Sequence, residues 1–431
     1  MILKKTLFLS FLILTFYGIS VFGHSICHSK NSLSVPYEYG FIQVPYSYDS
    51  DDNKKLKIYW EKFPSKSKKK KGSVFFLAGG PLSHSLFHLK KSPHILYDSF
   101  NDYDFYMYDY RGFNCSSSPQ TEEQLIDLTK TISFANYAAD FKILKDRLVG
   151  NEKVILFGGS FGFMLGTEII SKNPEIISKA ILFSGDTSSA WLFDSMKQVD
   201  NLLVKTLPKR FPHFSEVLDL FLKQIEDKKI ILFKGTPKQL VLDKTHFESY
   251  LWLEFSQSIV NQENLLTYLE KAVAGDYSGL ENSHEIFLEA QKPIGFNSPP
   301  FFVSEILNVF RCNIFSNAEE RRAYSANPQK WSKISTLGVS AVLYSLCKKH
   351  DDLPLSSPWS LSFPQTPNNV PILSWVGDRD MFEPLAVNKN LKIISKNVQF
   401  YEMSDWSHDY GIDPGKGTKQ LKKLITEFLD K

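Results

Sequence analysis

The chain has 431 residues, of which 43% are hydrophobic and 14% aromatic, enough to fill one large core or two of ordinary size. Charged residues make up 23%, which is ordinary for a soluble globular protein. The 50 basic and 47 acidic residues nearly cancel to a formal net charge of +3, so the composition gives no reason to expect nucleic acid or another polyanion as a partner.

Residues 1–23 have the pattern of a secretory signal peptide. Lys4 and Lys5 precede an uncharged apolar run over residues 6–22, and Gly23 offers a small residue for cleavage. We therefore expect a secreted or periplasmic protein. The run is short for a membrane span, which favours a cleaved signal peptide over the alternative of an uncleaved anchor. No stable membrane insertion is expected after cleavage.

Four cysteines remain after residue 23, at positions 27, 115, 312 and 347. An even number in an exported chain suggests two disulfides, for which three pairings are possible. We favour Cys312 with Cys347 and Cys27 with Cys115, and free buried thiols are the alternative. No Cys or His spacing resembles a zinc site, and no metal is expected.

Short runs rich in Val, Ile, Phe and Tyr end at turn residues and predict strands. They are residues 41–46, 56–63, 73–78, 104–108, 153–157, 180–183, 370–376 and 398–403. Helical spacing predicts helices at residues 136–149, 161–172 and 419–429. The alternation of strand and helix is typical of the α/β class, with a mostly parallel twisted sheet flanked by helices.

The densest basic run, KSKKKK at residues 66–71, lies between two predicted strands. We interpret it as a solvated hairpin loop, and a patch for nucleic acid or an anionic surface is the alternative.

The alternation stops near residue 186 and resumes near residue 370. Residues 187–366 contain helical patterns at 211–223, 246–260 and 263–274 and show no strand rhythm. A long helical block inserted into an α/β sheet indicates a cap rather than a linker. The predicted organisation is therefore a core from 24–186 and 367–431 with a helical cap between its two parts.

A serine flanked by glycines follows the predicted strand 153–157. The segment reads Gly158-Gly159-Ser160-Phe161-Gly162 and leads into a predicted helix, which is the G-x-S-x-G pattern in its strand–turn–helix context. Only very small side chains fit two residues before and after such a serine. We predict that Ser160 is a nucleophile, and the alternative is a glycine-rich turn with an incidental serine.

A serine hydroxyl needs a base, and the base needs an acid to orient it. The expected chain order is Ser, then Asp or Glu, then His, each after a later strand. Strand 370–376 leads to Asp378 and Asp380, and strand 398–403 leads to His408 and Asp409. We assign His408 as the base and Asp380 as the orienting acid, with Asp378 and Asp409 as the nearest alternatives.

An oxyanion hole should combine two backbone N–H groups. One belongs to Phe161, at the start of the helix after the serine. The other should come from the loop after strand 73–78, where Gly79 and Gly80 let the backbone approach a substrate carbonyl. We choose Gly80 as the second donor.

These segments together resemble the α/β-hydrolases of the prolyl aminopeptidase and tripeptidyl aminopeptidase group, which are serine exopeptidases. The resemblance covers most of the chain after residue 23, strongly in the core and weakly in the cap. Its main segments are residues 41–46, 78–81, 109–116, 158–162, 377–384 and the loop that carries His408. In the cap, residues 235–237 and 272–279 are similar to the tripeptidyl branch, and Cys312 and Cys347 sit where that branch would pair them.

The chain departs from this family in two turns. The family's His-Gly-Gly-Pro-Gly reads Ala78-Gly79-Gly80-Pro81-Leu82, which changes the oxyanion loop. The family's Arg-Gly-x-Gly reads Arg111-Gly112-Phe113-Asn114, and asparagine is compatible with a left-handed turn.

The resemblance implies an α/β-hydrolase fold, with the helical cap inserted before the last two strands, and an enzyme that removes residues from the free N-terminus of peptides. The expected partner is the peptide substrate, and no cofactor is needed. An acid in the cap must hold the substrate ammonium, because a buried cation without a partner is unstable. Glu254 is the candidate, Glu319 and Glu320 are alternatives, and a solvated helix-face glutamate is the simpler interpretation of Glu254.

Two other functions stay open. An esterase or lipase uses the same constellation, since a fold does not fix a substrate. A binding protein on an inactive hydrolase scaffold is suggested only by Ala78 and Leu82. The sequence gives no expectation for the oligomeric state.

Overall fold

A computed structural model of the chain describes residues 37–49, 53–79, 98–113, 115–117, 119, 121–185, 204–205, 207–236, 239–242, 247, 259–282, 363–380, 389–404, 406, 408 and 417–431.

Eight strands are described in the core: β1 (Glu38–Pro45), β2 (Lys55–Phe63), β3 (Gly72–Leu77), β4 (Tyr103–Tyr108), β5 (Val154–Gly159), β6 (Ile177–Phe183), β9 (Ile372–Gly377) and β10 (Val398–Met403). They form one sheet with the order β1-β2-β4-β3-β5-β6-β9-β10. The first two strands pair antiparallel, and β2 pairs antiparallel with β4, while all later neighbours are parallel. The predicted α/β class with a mostly parallel sheet is therefore confirmed.

Strand β5 lies in the middle of this sheet, and all of its residues are buried. A strand covered on both faces is apolar throughout instead of alternating, which explains its continuous hydrophobic run. Because parallel strands share one direction, the loops that follow β3, β5, β6, β9 and β10 leave from the same edge of the sheet.

The described residues of the core form four α-helices: α1 (Glu122–Thr129), α2 (Phe134–Val149), α3 (Phe161–Lys172) and α7 (Gly417–Asp430). Helix α2 begins where the Ser133 hydroxyl accepts a hydrogen bond from the N–H of Asn136. It ends at Gly150, whose φ of 61° is left-handed and therefore favours glycine.

The inserted segment between β6 and β9 contains α4 (Leu207–Arg210), α5 (Phe214–Asp227) and α6 (Ile259–Val273). It also contains a small antiparallel sheet of β7 (Ile230–Leu232) and β8 (Leu240–Leu242). The expectation of no strands here was wrong, because two three-residue strands are too short to show a periodic pattern. The predicted helix at 246–260 lies mostly outside the described residues.

The basic run at 66–71 is not a hairpin loop. Strand β4 lies between β2 and β3 in the sheet, so this segment connects two strands that do not pair. Lys70 forms ion pairs with Asp104 and Glu152, and Lys71 with Asp102 and Asp430. These four acids partly neutralise the run.

Within the described ranges, no helix combines the length and apolar character needed to cross a membrane. The predicted signal peptide at 1–23 lies outside those ranges.

Candidate active site

Ser160 occupies a sharp turn between β5 and α3. Its backbone has φ 54° and ψ −123°, a left-handed conformation that costs a non-glycine residue about 1–3 kcal/mol. The surrounding backbone holds the turn, since the N–H of Ser160 donates to the carbonyls of Phe183 at 3.1 Å and Ser184 at 2.9 Å. A strained serine at the carboxyl end of a central strand is the geometry expected for an exposed nucleophile.

The two outer glycines of the motif are required by close packing. A Cβ at Gly158 would come within 2.8 Å of the Gly162 carbonyl oxygen. A Cβ at Gly162 would collide with the carbonyl oxygen of Leu77, at the end of β3. Strands β3 and β5 and helix α3 therefore approach so closely behind Ser160 that no side chain fits at either position.

Phe161, the predicted oxyanion donor, is the first residue of α3. Its N–H therefore lies at the positive end of the helix dipole, which favours negative charge. The Phe161 ring is buried and contacts the rings of Phe134, Tyr110 and Tyr137, with centroids 5.3, 5.3 and 5.9 Å apart. This aromatic cluster fixes the residue that follows the nucleophile.

The chain leaving β3 comes directly against the serine turn. A Cβ at Gly79 would lie 3.1 Å from the carbonyl oxygen of Gly159 and 3.4 Å from the Cβ of Ser160. Gly79 therefore lets this loop approach the nucleophile, as an oxyanion loop must. Gly80, the predicted second donor, lies outside the described residues.

Asp380 and His408 meet beyond the ends of β9 and β10. The Nδ1 atom of His408 lies 3.0 and 3.1 Å from the two carboxylate oxygens of Asp380. The Asp380 side chain is fully buried, whereas 14% of the His408 side chain is exposed. Of the alternative acids, Asp378 is exposed at the surface, and Asp409 lies outside the described residues.

Backbone contacts that the sequence did not indicate hold the acid and base loops together. The N–H of Asp378 donates to the carbonyl of Met403, and the N–H of Arg379 donates to that of Trp406. A Cβ at Gly377 would collide with the Trp406 carbonyl, so only glycine allows this approach. The loop after β9 therefore packs directly on the loop that carries His408.

Ser184 connects the serine turn to the strand that carries the acid, and sequence reasoning missed it. Its carbonyl accepts from the N–H of Ser160, and its own N–H donates to the carbonyl of Trp375 in β9, both at 2.9 Å. Its φ of 43° is left-handed. The only sequence signal was a serine followed by glycine directly after an apolar strand, which marks a turn but not its partners.

The segment that follows β4 is held in place by a buried ion pair of Arg111. Arg111 is buried and donates to both carboxylate oxygens of Asp140, at 2.6 and 2.7 Å. It also donates to the carbonyls of Pro45 and Tyr46, which ties the end of β1 to α2. Gly112 has a left-handed φ of 83°, as a tight turn requires. Asn114 lies outside the described residues.

Cys115 is disulfide-bonded. Its partner lies outside the described residues, as do Cys27, Cys312 and Cys347, so both predicted pairings stay predictions. Glu254, Glu319 and Glu320 also lie outside these residues. In the described part of the chain, no three His, Cys, Asp or Glu side chains group as a metal site would require.

A family model described as alpha/beta hydrolase fold matches residues 72–413. The chain belongs to the alpha/beta hydrolase family. This membership supports its assignment as a hydrolase, and the elements described above are the ones on which that fold builds its sites.

Individual known proteins resemble this hydrolase only at low sequence identity. The alpha/beta hydrolase domain-containing protein aho-3 of Caenorhabditis elegans is 26% identical over 107 residues, and the match spans 22% of this chain and only 30% of that protein. An acetylester hydrolase from Corynebacterium glutamicum is 14% identical, with 92% of this chain and 96% of that chain covered and a TM-score of 0.48. A proline iminopeptidase-related protein from Thermus thermophilus is 14% identical, with 91% and 98% covered and a TM-score of 0.44. At this similarity, none of them indicates a substrate for this chain.

Proposed function

We propose that this hydrolase is a serine aminopeptidase that acts through Ser160, His408 and Asp380. The observation that carries the proposal is the contact between His408 Nδ1 and the buried Asp380 carboxylate, at the same sheet edge as the left-handed turn of Ser160. An imidazole held through Nδ1 by an acid presents Nε2 as a base, which is how a serine hydroxyl is activated.

In the proposed reaction, the Ser160 hydroxyl attacks the scissile carbonyl while His408 takes its proton. The negative charge that develops on the carbonyl oxygen is stabilised by the N–H of Phe161 and by the loop after β3. His408 then returns the proton to the leaving amine, which releases the shortened peptide and leaves an acyl group on Ser160. Water hydrolyses this ester with His408 again acting as the base.

The preference for free N-termini rests on the resemblance and on the size of the inserted segment. Residues 187–366 provide enough chain to cover the sheet edge and admit only a peptide end. A buried substrate ammonium needs an acidic partner, and Glu254 remains our candidate. We further propose that the chain is exported after cleavage behind Gly23, which the mass of the mature N-terminus would test.

The decisive experiment compares peptide anilides that have free or acetylated N-termini with nitrophenyl esters. We expect kcat/KM to be highest for a free N-terminus, because acetylation removes the ammonium charge. Faster turnover of blocked peptides, or turnover of esters alone, contradicts the aminopeptidase assignment and favours an esterase. Absence of both activities, together with failure of a fluorophosphonate to label Ser160, indicates an inactive scaffold.

A further inference from the structure

Tyr110 contacts both sides of the serine turn, although it is not part of the predicted triad. It lies two residues after β4 and is almost completely buried. Its hydroxyl donates a hydrogen bond to the carbonyl of Ala78 at 2.9 Å. The rings of Tyr110 and Phe161 pack in a T-shaped arrangement, with their centroids 5.3 Å apart and their planes at 71°.

The hydrogen bond fixes the first peptide of the loop after β3. In a trans peptide, the C=O of one residue and the N–H of the next point in opposite directions. Holding the Ala78 carbonyl therefore fixes the direction of the Gly79 N–H as well. Gly79 is the residue that lies against Ser160, and the methyl side chain of Ala78 has no polar group to hold the loop.

The ring contact fixes the other side of the turn. Phe161 directly follows the nucleophile, and Tyr110 is one of the rings that pack against its side chain, together with Phe134 and Tyr137. Tyr110 is itself held by the rings of Tyr108 and Tyr137, at 5.4 and 5.3 Å. One side chain thus links the two backbone segments expected to supply oxyanion donors.

We propose that Tyr110 is a positioning residue for the oxyanion-binding side of the Ser160 site. The proposal rests on the serine hydrolase chemistry proposed above, but it does not depend on whether the substrate is a peptide or an ester. Tyr110 acts through the Ala78 carbonyl and the Phe161 ring and does not itself touch the substrate.

Burial raises the pKa of Tyr110 well above its usual value, and the neighbouring Tyr108, Tyr137 and Asp109 raise it further. The hydroxyl therefore stays protonated and remains a donor throughout the pH range of an assay. The effect of removing it should be the same at pH 6 and at pH 9, whereas loss of an acid or base would change the pH profile.

The test is Tyr110→Phe, which keeps the ring and removes only the hydroxyl. Tyr108→Phe is the matched control, because the Tyr108 hydroxyl is equally buried and has no hydrogen-bond partner among the described residues. Each variant is assayed with the anilide or ester that the wild type turns over. Binding of a boronic acid that carries the acyl-side group of that same substrate, and that forms a tetrahedral adduct with the serine, is measured in parallel.

We expect Tyr110→Phe to lower kcat and boronate affinity about tenfold with little change in KM, and Tyr108→Phe to change none of these quantities. This loss is smaller than the roughly 10²–10³-fold effect of deleting an oxyanion donor itself, since the donors remain present. Unchanged kcat and boronate affinity in Tyr110→Phe, equal losses in both variants, or a change confined to KM would overturn the proposal.

Failure of this proposal is separable from failure of the proposed function. A wild type that is labelled by a fluorophosphonate but cleaves only esters removes the aminopeptidase assignment and leaves the Tyr110 test intact. A wild type that is neither labelled nor active on either substrate class overturns both proposals.

Discussion

The interior of the core and the interior of the inserted segment differ in the kinds of side chain that they bury. Besides its hydrophobic cluster, the core contains buried polar groups, among them Arg111, Asp140 and Asp380. The described cluster of the inserted segment is formed by apolar side chains from α5, α6 and the β7–β8 pair. None of the buried polar or charged residues in the described part of the chain falls between positions 204 and 282.

This difference indicates how each region is specified. A buried hydrogen-bonded group requires a partner at a defined distance and angle, so pairs such as Arg111 with Asp140 and His408 with Asp380 restrict how the core can pack. Apolar packing tolerates exchange between side chains of similar volume. The chemistry should therefore be sensitive to small changes in the core and insensitive to conservative changes in the inserted segment.

The largest effect is expected at Ser160. Ser160→Ala should lower kcat on the order of a millionfold, because without the nucleophile no acyl-enzyme can form. The fold should be retained, because alanine keeps the Cβ and the backbone bonds of the turn. Steady-state kinetics and fluorophosphonate labelling measure the loss. Ser171→Ala, in the same helix α3, is the control and should keep wild-type activity.

Asp380→Asn should have the next largest effect, a fall in kcat of about 10⁴-fold, because an amide no longer holds the imidazole in the required tautomer. Asp378→Asn, two residues away and at the surface, should change kcat less than about threefold if its carboxylate has no part in catalysis. A larger loss at Asp378 than at Asp380 would reverse our assignment of the acid.

Much of the core was predictable from the sequence because strand and helix periodicity is a local signal. The predicted strand 398–403 and helix 161–172 have the observed bounds of β10 and α3. Strand bounds elsewhere differ by a few residues, as at β6, which begins at Ile177 rather than at 180. These elements are long and regular enough for composition to define them.

The contacts that hold the site were not predictable, because they are made between backbones distant in the chain. Nothing in the sequence around Ser184 indicates that it bonds to both Ser160 and Trp375. Likewise, the segment around Tyr110 predicted a turn but not a hydrogen bond to Ala78. Such pairings depend on strand order, and the sequence also failed to indicate that β4 lies between β2 and β3.

The third prediction concerns the buried ion pair of the core. Asp140→Asn should lower the free energy of unfolding by about 3–5 kcal/mol, because it leaves the buried Arg111 guanidinium without a compensating charge. Chemical denaturation measures this. Lys142→Gln breaks an exposed pair with Asp146 in the same helix α2 and should cost at most about 1 kcal/mol. Equal costs in the two variants would show that buried polar contacts do not distinguish the core.

The smallest effect is expected for a conservative change in the inserted segment. Leu265 is fully buried in its apolar cluster, and Leu265→Met should cost less than about 1.5 kcal/mol of stability, since the volume is nearly conserved. The rate of fluorophosphonate labelling should be unchanged, because a small probe needs only Ser160 and its neighbours in the core.

Leu165→Met is the matched control in the core. Leu165 is equally buried and lies in α3, the helix that begins directly after the nucleophile. The two substitutions should destabilise the protein to a similar degree, but Leu165→Met should slow labelling, because repacking beneath α3 shifts the backbone that positions Ser160.

If Leu265→Met slows labelling as much as Leu165→Met, the inserted segment controls the geometry of the nucleophile, and the separation of chemistry from the inserted segment is wrong. If neither does, the serine turn is held by its backbone bonds and glycines alone, and the packing of the core behind it is less restrictive than the buried polar groups suggest.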